Sequence, residues 1–155
     1  MQMQMGASGQ LVPVPTDLPA IPTREQIERL EAEMVKHEQV EIPTRHYFAD
    51  GLYAREITIP AGCLLTGEVH KREHMNFLVK GEITVWTEDG MKRLTAPQLL
   101  ISRPGTKRAG LAHSETIWTT VHALPDAMNH DIAAIEQELV EVSRLRLFNT
   151  KNLEN

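Results

Sequence analysis

The chain contains one cysteine, Cys63, which excludes an intramolecular disulfide. Its neighbours Leu64 and Leu65 assign it to a small buried apolar position rather than to a reactive thiol. No apolar run approaches the roughly 20 residues that a membrane-spanning helix needs. The sequence also opens without the basic region and apolar stretch of a secretory signal, so no membrane partner and a cytoplasmic location are expected. Positive charge is scarce. The formal net charge is -5, and Lys71-Arg72 and Lys107-Arg108 are isolated pairs, too short for the clustered basic surface that phosphate contacts require. A nucleic-acid partner is therefore not expected. There is no internal repeat, and the length excludes two tandem barrels.

What is present is a single-domain length of 155 residues, with 41% hydrophobic and 24% charged residues, ordinary for a globular domain with one core. Residues 1–22 are rich in Gln, Met, Gly and Pro. Proline lacks the backbone donor and disfavours helix before it, so this segment is read as a flexible or extended arm that neither pairs in a sheet nor forms a helix. Residues 23–46 are read as a helix and linker. Thr23-Arg24-Glu25-Gln26 fits a capping box, followed by Ile27, Leu30 and Met34 at helical spacing. From Tyr47 to about residue 125 the period becomes that of strands. Ile57 and Ile59, then Ile83 and Val85, alternate with polar residues, and Ile117–His122 reads as a closing strand. Pro60-Ala61-Gly62, Lys80-Gly81, Asp89-Gly90 and Pro104-Gly105 supply turns, with Asp89-Gly90 a tight-hairpin signal. Residues 126–155 are read as a C-terminal helix and frayed tail. Asn129 or Asp131 would cap it, and Ile132, Ile135, Leu139, Val142 and Leu145 form one stripe. Many short strands at even spacing imply a sandwich or barrel between two helices.

Two punctuated segments carry the chemistry. In Gly67–Gly81 lie Glu68, His70 and His74; about twenty residues on comes Arg103-Pro104-Gly105-Thr106-Lys107-Arg108. Glu68 and His70 are two apart, so both project from one face of a strand. Lys71-Arg72-Glu73 can form a turn, and His74 then opens the next strand facing back.

About half of the chain, in its middle, resembles the cupin superfamily. That family's motifs are usually written G-x5-H-x-H-x3-4-E-x6-G and G-x5-P-x-G-x2-H-x3-N. Anchored on Gly81, the family's glutamate position falls on His74, its second histidine on His70 and its first on Glu68. In the second motif Arg103 stands at the proline and Arg108 at the histidine. The resemblance implies a mainly β fold, a single antiparallel β-barrel (jelly roll) with flanking N- and C-terminal α-helices, and a site at the barrel mouth. The ligand set departs from the family's, because an arginine stays protonated and cannot bind a metal.

Glu68, His70 and His74 have the composition of a facial site of two histidines and one carboxylate, which suits ferrous iron and also accepts manganese, nickel or zinc. The alternative reading makes the histidines hydrogen-bonded barrel residues and pairs Glu68 with Arg108. Arg108 presents a planar fork suited to carboxylate or phosphate, with Arg103 on the same strand edge and Lys107 pointing the other way. The ligand-binding candidates are thus Arg108, Arg103, Asn76 and His122, with Tyr53 as a further lining residue. His113 is a lesser candidate in a loop, Trp86 and Trp118 are read as core or interface aromatics rather than stacking platforms, and His37, His46 and His130 carry no site signal.

Three functions are compatible with these residues: a barrel that binds a small anionic molecule beside a divalent metal, a metal-dependent dioxygenase, isomerase or lyase, and a non-catalytic assembly scaffold. Fold alone does not choose among them. The first is the preferred reading, and homo-oligomerisation is expected from the arm and the two amphipathic helices.

Overall fold

The computed structural model describes residues 2–5, 11–14, 18–124 and 130–141. In chain order they form β1 (Gln2–Met5), β2 (Leu11–Val14), α1 (Arg24–Met34), β3 (Thr44–Ala49), β4 (Leu52–Ile59), β5 (Leu64–Thr66), β6 (His74–Lys80), β7 (Glu82–Thr87), β8 (Gly90–Thr95), β9 (Gln98–Ser102), β10 (Ala109–Ala112), β11 (Thr116–Ala123) and α2 (Ile132–Leu139). Nine strands make two antiparallel sheets, ordered β5-β10-β7-β8 and β3-β4-β11-β6-β9. From β4 onward the chain passes back and forth between them, with only the β7–β8 hairpin remaining in one sheet. The result is a jelly roll. Ile59, Leu78 and Trp118 from one sheet meet Ile83, Val85, Leu94 and Ala112 from the other, so the core lies between the two.

Helix α1 forms because Thr23 caps it. The Thr23 hydroxyl accepts from the Gln26 amide at 3.2 Å, and the Gln26 side chain accepts from the Thr23 amide at 2.8 Å. Its stripe of Ile27, Leu30 and Met34 covers Leu64, Trp86 and Ala109 on the outer face of the four-stranded sheet. Lys107 leaves the β10 side toward this helix and pairs with Glu31 at 2.6 Å, with the lysine almost fully buried. Thr66 donates to the same Glu31 carboxylate. Cys63 is buried, and burial raises its thiol pKa, as an inert core thiol requires.

The structure departs from the sequence expectations at the chain's flanks. β1 and β2 pair, with Met3 opposite Pro13, although the proline content argued against any sheet. In a two-stranded ribbon alternate amides point away from the partner, so a residue without a donor is tolerated. Residues 18–22 are not a free arm either, since Pro22 is fully buried and Leu18 packs against the α1 cluster. The five-stranded sheet begins at Thr44, three residues before the expected Tyr47, because β3 pairs with β4 along its whole length. Glu88 and Asp89 form the β7–β8 loop and Gly90 opens β8, with φ at 117°. Asp131 caps α2 by accepting from the Ala133 and Ala134 amides, but the helix stops at Leu139. Val140 is extended and bridges to His70, which ends the helical stripe early. Val142, Leu145 and the tail lie outside the described residues.

Gly81, the anchor of the first motif, turns the chain from β6 into β7 with φ at 91°. A Cβ there would lie 2.3 Å from the Glu115 carbonyl oxygen and 2.9 Å from the Thr116 Cα. Both the dihedral and the close backbone approach demand glycine. Gly81→Ala is expected to cost about 2 kcal/mol or more, read as a lowered midpoint in urea denaturation; an unchanged midpoint would show that the turn relaxes freely.

Candidate metal centre

Three imidazoles converge inside the roll. β6 and β11 are paired, and their two-residue period directs His74 and Asn76 inward with Trp118, Thr120 and His122. His70 enters from the loop before β6. That loop is tied down on both sides: the Lys71 amide donates to the Leu139 carbonyl, the Glu141 amide to Val69 and the Gly105 amide to His70. An Arg72–Glu138 ion pair adds to this clasp between the loop and α2. Ring centroids are 4.1 Å apart for His70–His74, 4.7 Å for His70–His122 and 4.9 Å for His74–His122. One ligand nitrogen from each lies within 4.8 Å of the others.

The electrostatics keep these rings neutral. Burial holds His70 down to about 3, with His74, His122, Arg108 and Arg55 adding repulsion. Burial, then His74, holds His122 down to about 4. His74 is lowered as well, by burial first, against a hydrogen bond to the Arg72 carbonyl that favours its proton. That bond, 3.0 Å long, also fixes the tautomer. A carbonyl only accepts, so Nδ1 carries the hydrogen and Nε2 keeps the lone pair. Nδ1 of His70 is buried with no hydrogen-bond partner. A neutral, partly unsatisfied imidazole set of this kind fits a divalent transition metal.

The histidines line a cavity of about 310 Å³, at the small end for ligand pockets. Ile57, Ile59, Leu65, Ile83 and Val85 supply an apolar part of its wall, with Ile135, Leu139 and Val140 from the α2 side, and Arg55, Thr66, Glu68 and Thr120 are among its polar lining. Arg108 faces in. Its Nη2 donates to the Ser102 hydroxyl at 2.7 Å, and its guanidinium carbon sits 5.4 Å from the Trp118 ring centroid. The Arg108 guanidinium thus meets Ser102 and Trp118 in a cavity that Glu68 also lines.

The other expected site residues divide. Asn76, Tyr53 and His122 line the cavity with Arg108. Glu68 lines it too, but its carboxylate is outside the set of mutually close ligand atoms, where His122 stands instead. Arg103 does not reach the site: it is exposed and pairs with Asp89 at 2.7 Å, because the Pro104-Gly105 turn breaks the strand alternation that linked it to Arg108. His113 is exposed and bonds Thr84 at 2.6 Å, away from the cavity. Arg55, which lines the cavity from β4, was not anticipated. Its signal was available, since it shares a strand face with Tyr53, Ile57 and Ile59.

The depressed histidine pKa values set a pH dependence for the metal-free protein. Unfolded histidines take up protons as pH falls through about 6.5, whereas the folded imidazoles stay neutral until far lower. The unfolded state therefore binds more protons, and stability falls as pH drops from about 6.5 toward 4. Urea midpoints at pH 7.5 and 5.0 should show this loss, and His70→Gln with His122→Gln should flatten it. An equal slope in wild type and double variant would refute the assignment.

No protein family and no curated protein matches the sequence. Among solved structures the chain is similar to an uncharacterized conserved protein with a double-stranded β-helix domain from Klebsiella pneumoniae, at 16% identity and a TM-score of 0.49, covering 58% of this chain and 83% of that one. It is also similar to an RmlC-like cupin from Shewanella frigidimarina (19% identity, TM-score 0.46, 57% and 87% covered). A third similar structure is KdgF from Halomonas sp. (16%, 0.47, 59% and 88%). By its own strand order the chain is an antiparallel jelly roll, whose interior brings three histidines close enough together to hold a metal.

Proposed function

We propose that this protein binds a small anionic molecule inside the roll, beside a divalent metal held by His70, His74 and His122. The observation that carries the reading is the group of three neutral imidazoles whose ligand nitrogens lie within 4.8 Å of one another at a cavity inside the roll. Neutral imidazole is the ligating form, and the Arg72 carbonyl supplies the outer hydrogen bond that orients such ligands. Imidazole ligation suits zinc, iron and nickel; manganese, which prefers oxygen donors, fits better if Glu68 joins the set. A bound metal would act as a Lewis acid on an oxygen of the ligand. The chain's own contribution is to hold the three rings in place, exclude water with the isoleucine and valine wall, and present the Arg108 guanidinium to the ligand's negative charge.

Protein purified without an affinity tag should contain about one transition metal per chain by elemental analysis. After chelation, cobalt titration should recover one site. His70→Ala, His74→Ala and His122→Ala should each weaken cobalt binding about 10-fold to 100-fold or more. Glu68→Gln separates the two ligand sets, and a loss as large as that of His122→Ala would restore the carboxylate to the centre. Wild-type binding in all three histidine variants would refute the metal reading.

A further inference from the structure

We infer that the ligand is a small carboxylic acid with a compact apolar body, and that Asn76 and Ser102 are positioning residues that hold Arg108 to receive the carboxylate. The inference rests on the reading that an anion occupies the cavity, and it names that anion's chemistry. Its basis is a hydrogen-bond relay whose directions are fixed by elimination. The Trp118 indole N–H only donates, and it reaches Asn76 Oδ1 at 3.1 Å, where the Thr120 hydroxyl also donates at 3.2 Å. The Asn76 amide nitrogen is thereby turned to Ser102 and donates to its Oγ at 2.8 Å. The same Oγ accepts from Arg108 Nη2. Asn76 and Ser102 are both almost fully buried, at 1% and 3% exposure, so neither has freedom to turn away.

Arg108 is thus held at one end by Ser102 and on one face by Trp118. Its Nε–H is buried with no partner. A buried charged donor left without an acceptor costs free energy that a ligand oxygen would recover. Carboxylate suits the position because its two coplanar oxygens match the planar fork. Glu68 and Glu136 also line the cavity, which weighs more against a dianionic phosphate than against a singly charged carboxylate. The isoleucine and valine part of the wall, with a volume of about 310 Å³, selects an apolar body of modest size.

Benzoate is a suitable probe, compared with its neutral relative benzamide and with inorganic phosphate, by calorimetric titration of both chelated and cobalt-loaded full-length protein. Benzoate should bind, with benzamide and phosphate at least tenfold weaker. Arg108→Lys keeps the charge but loses the fork, and should weaken benzoate at least tenfold. Ser102→Ala should weaken benzoate while leaving benzamide unchanged, and Ser102→Thr, which retains the hydroxyl, should restore it. A merely structural serine would affect both probes alike. The inference is overturned if benzoate fails to bind wild type, if benzamide or phosphate binds as well, or if Arg108→Lys binds benzoate like wild type. Cobalt titration reads the metal centre separately, so loss of either reading leaves the other intact.

Discussion

The site depends on one constraint, the two-residue period of strands that curl around a single core. Across β11 the partners on β4 are Tyr53 for His122, Arg55 for Thr120 and Ile57 for Trp118, and on β6 Asn76 for Thr120. These inward residues form a continuous wall from polar to apolar. A slip of one residue in β6 would replace His74, Asn76 and Leu78 by Met75, Phe77 and Val79, and would take His74 out of the histidine cluster. Register is therefore as much a functional property here as a structural one. Gly81 helps to set it, because only glycine lets β6 turn so close to the Glu115 carbonyl.

Features governed by local chemistry were legible in the sequence. The capping box at Thr23, the alternation of Ile57, Ile59, Ile83 and Val85, and the closing strand around Trp118 all follow from neighbours a few residues apart. Their rhythm implies a sandwich or barrel, and the jelly roll was expected only from the resemblance carried by the two punctuated segments. His70 and His74 stood out because a short turn separates them. What the sequence concealed depends on pairing between distant segments. His122 joins the histidines only because β11 lies beside β6, some forty residues away, and Arg55 enters only through β4's register with β11. α2 stops at Leu139 for a similar reason: Val140 and Glu141 bond to the loop at Val69–His70, a contact no helical periodicity encodes.

Arg103 and Lys107 illustrate where alternation can and cannot be extrapolated. Lys107 and Arg108 are adjacent, and they point oppositely, one to Glu31 on α1 and one into the cavity. Arg103 lies across the Pro104-Gly105 turn, where Gly105 adopts a φ of 81°. Beyond such a turn the face of the next residue is set anew, so its even or odd spacing from Arg108 carries no information. Its pairing with Asp89 reflects the position of the β7–β8 loop instead.

The remaining tension is electrostatic. A guanidinium and a divalent cation repel, and Arg108 already disfavours protonation of His70 and His74, which places its charge within reach of the same rings. Arg108 cannot shed its proton at physiological pH, even with burial lowering its pKa. Nor does it move aside, since Ser102 and Trp118 hold it. A metal at the histidines and the charge on Arg108 are therefore compatible in this low-dielectric space when an anion is shared between them. The arginine that replaces the expected fourth ligand does not abolish the centre. On the proposed reading it adds a place for a negatively charged guest beside the metal.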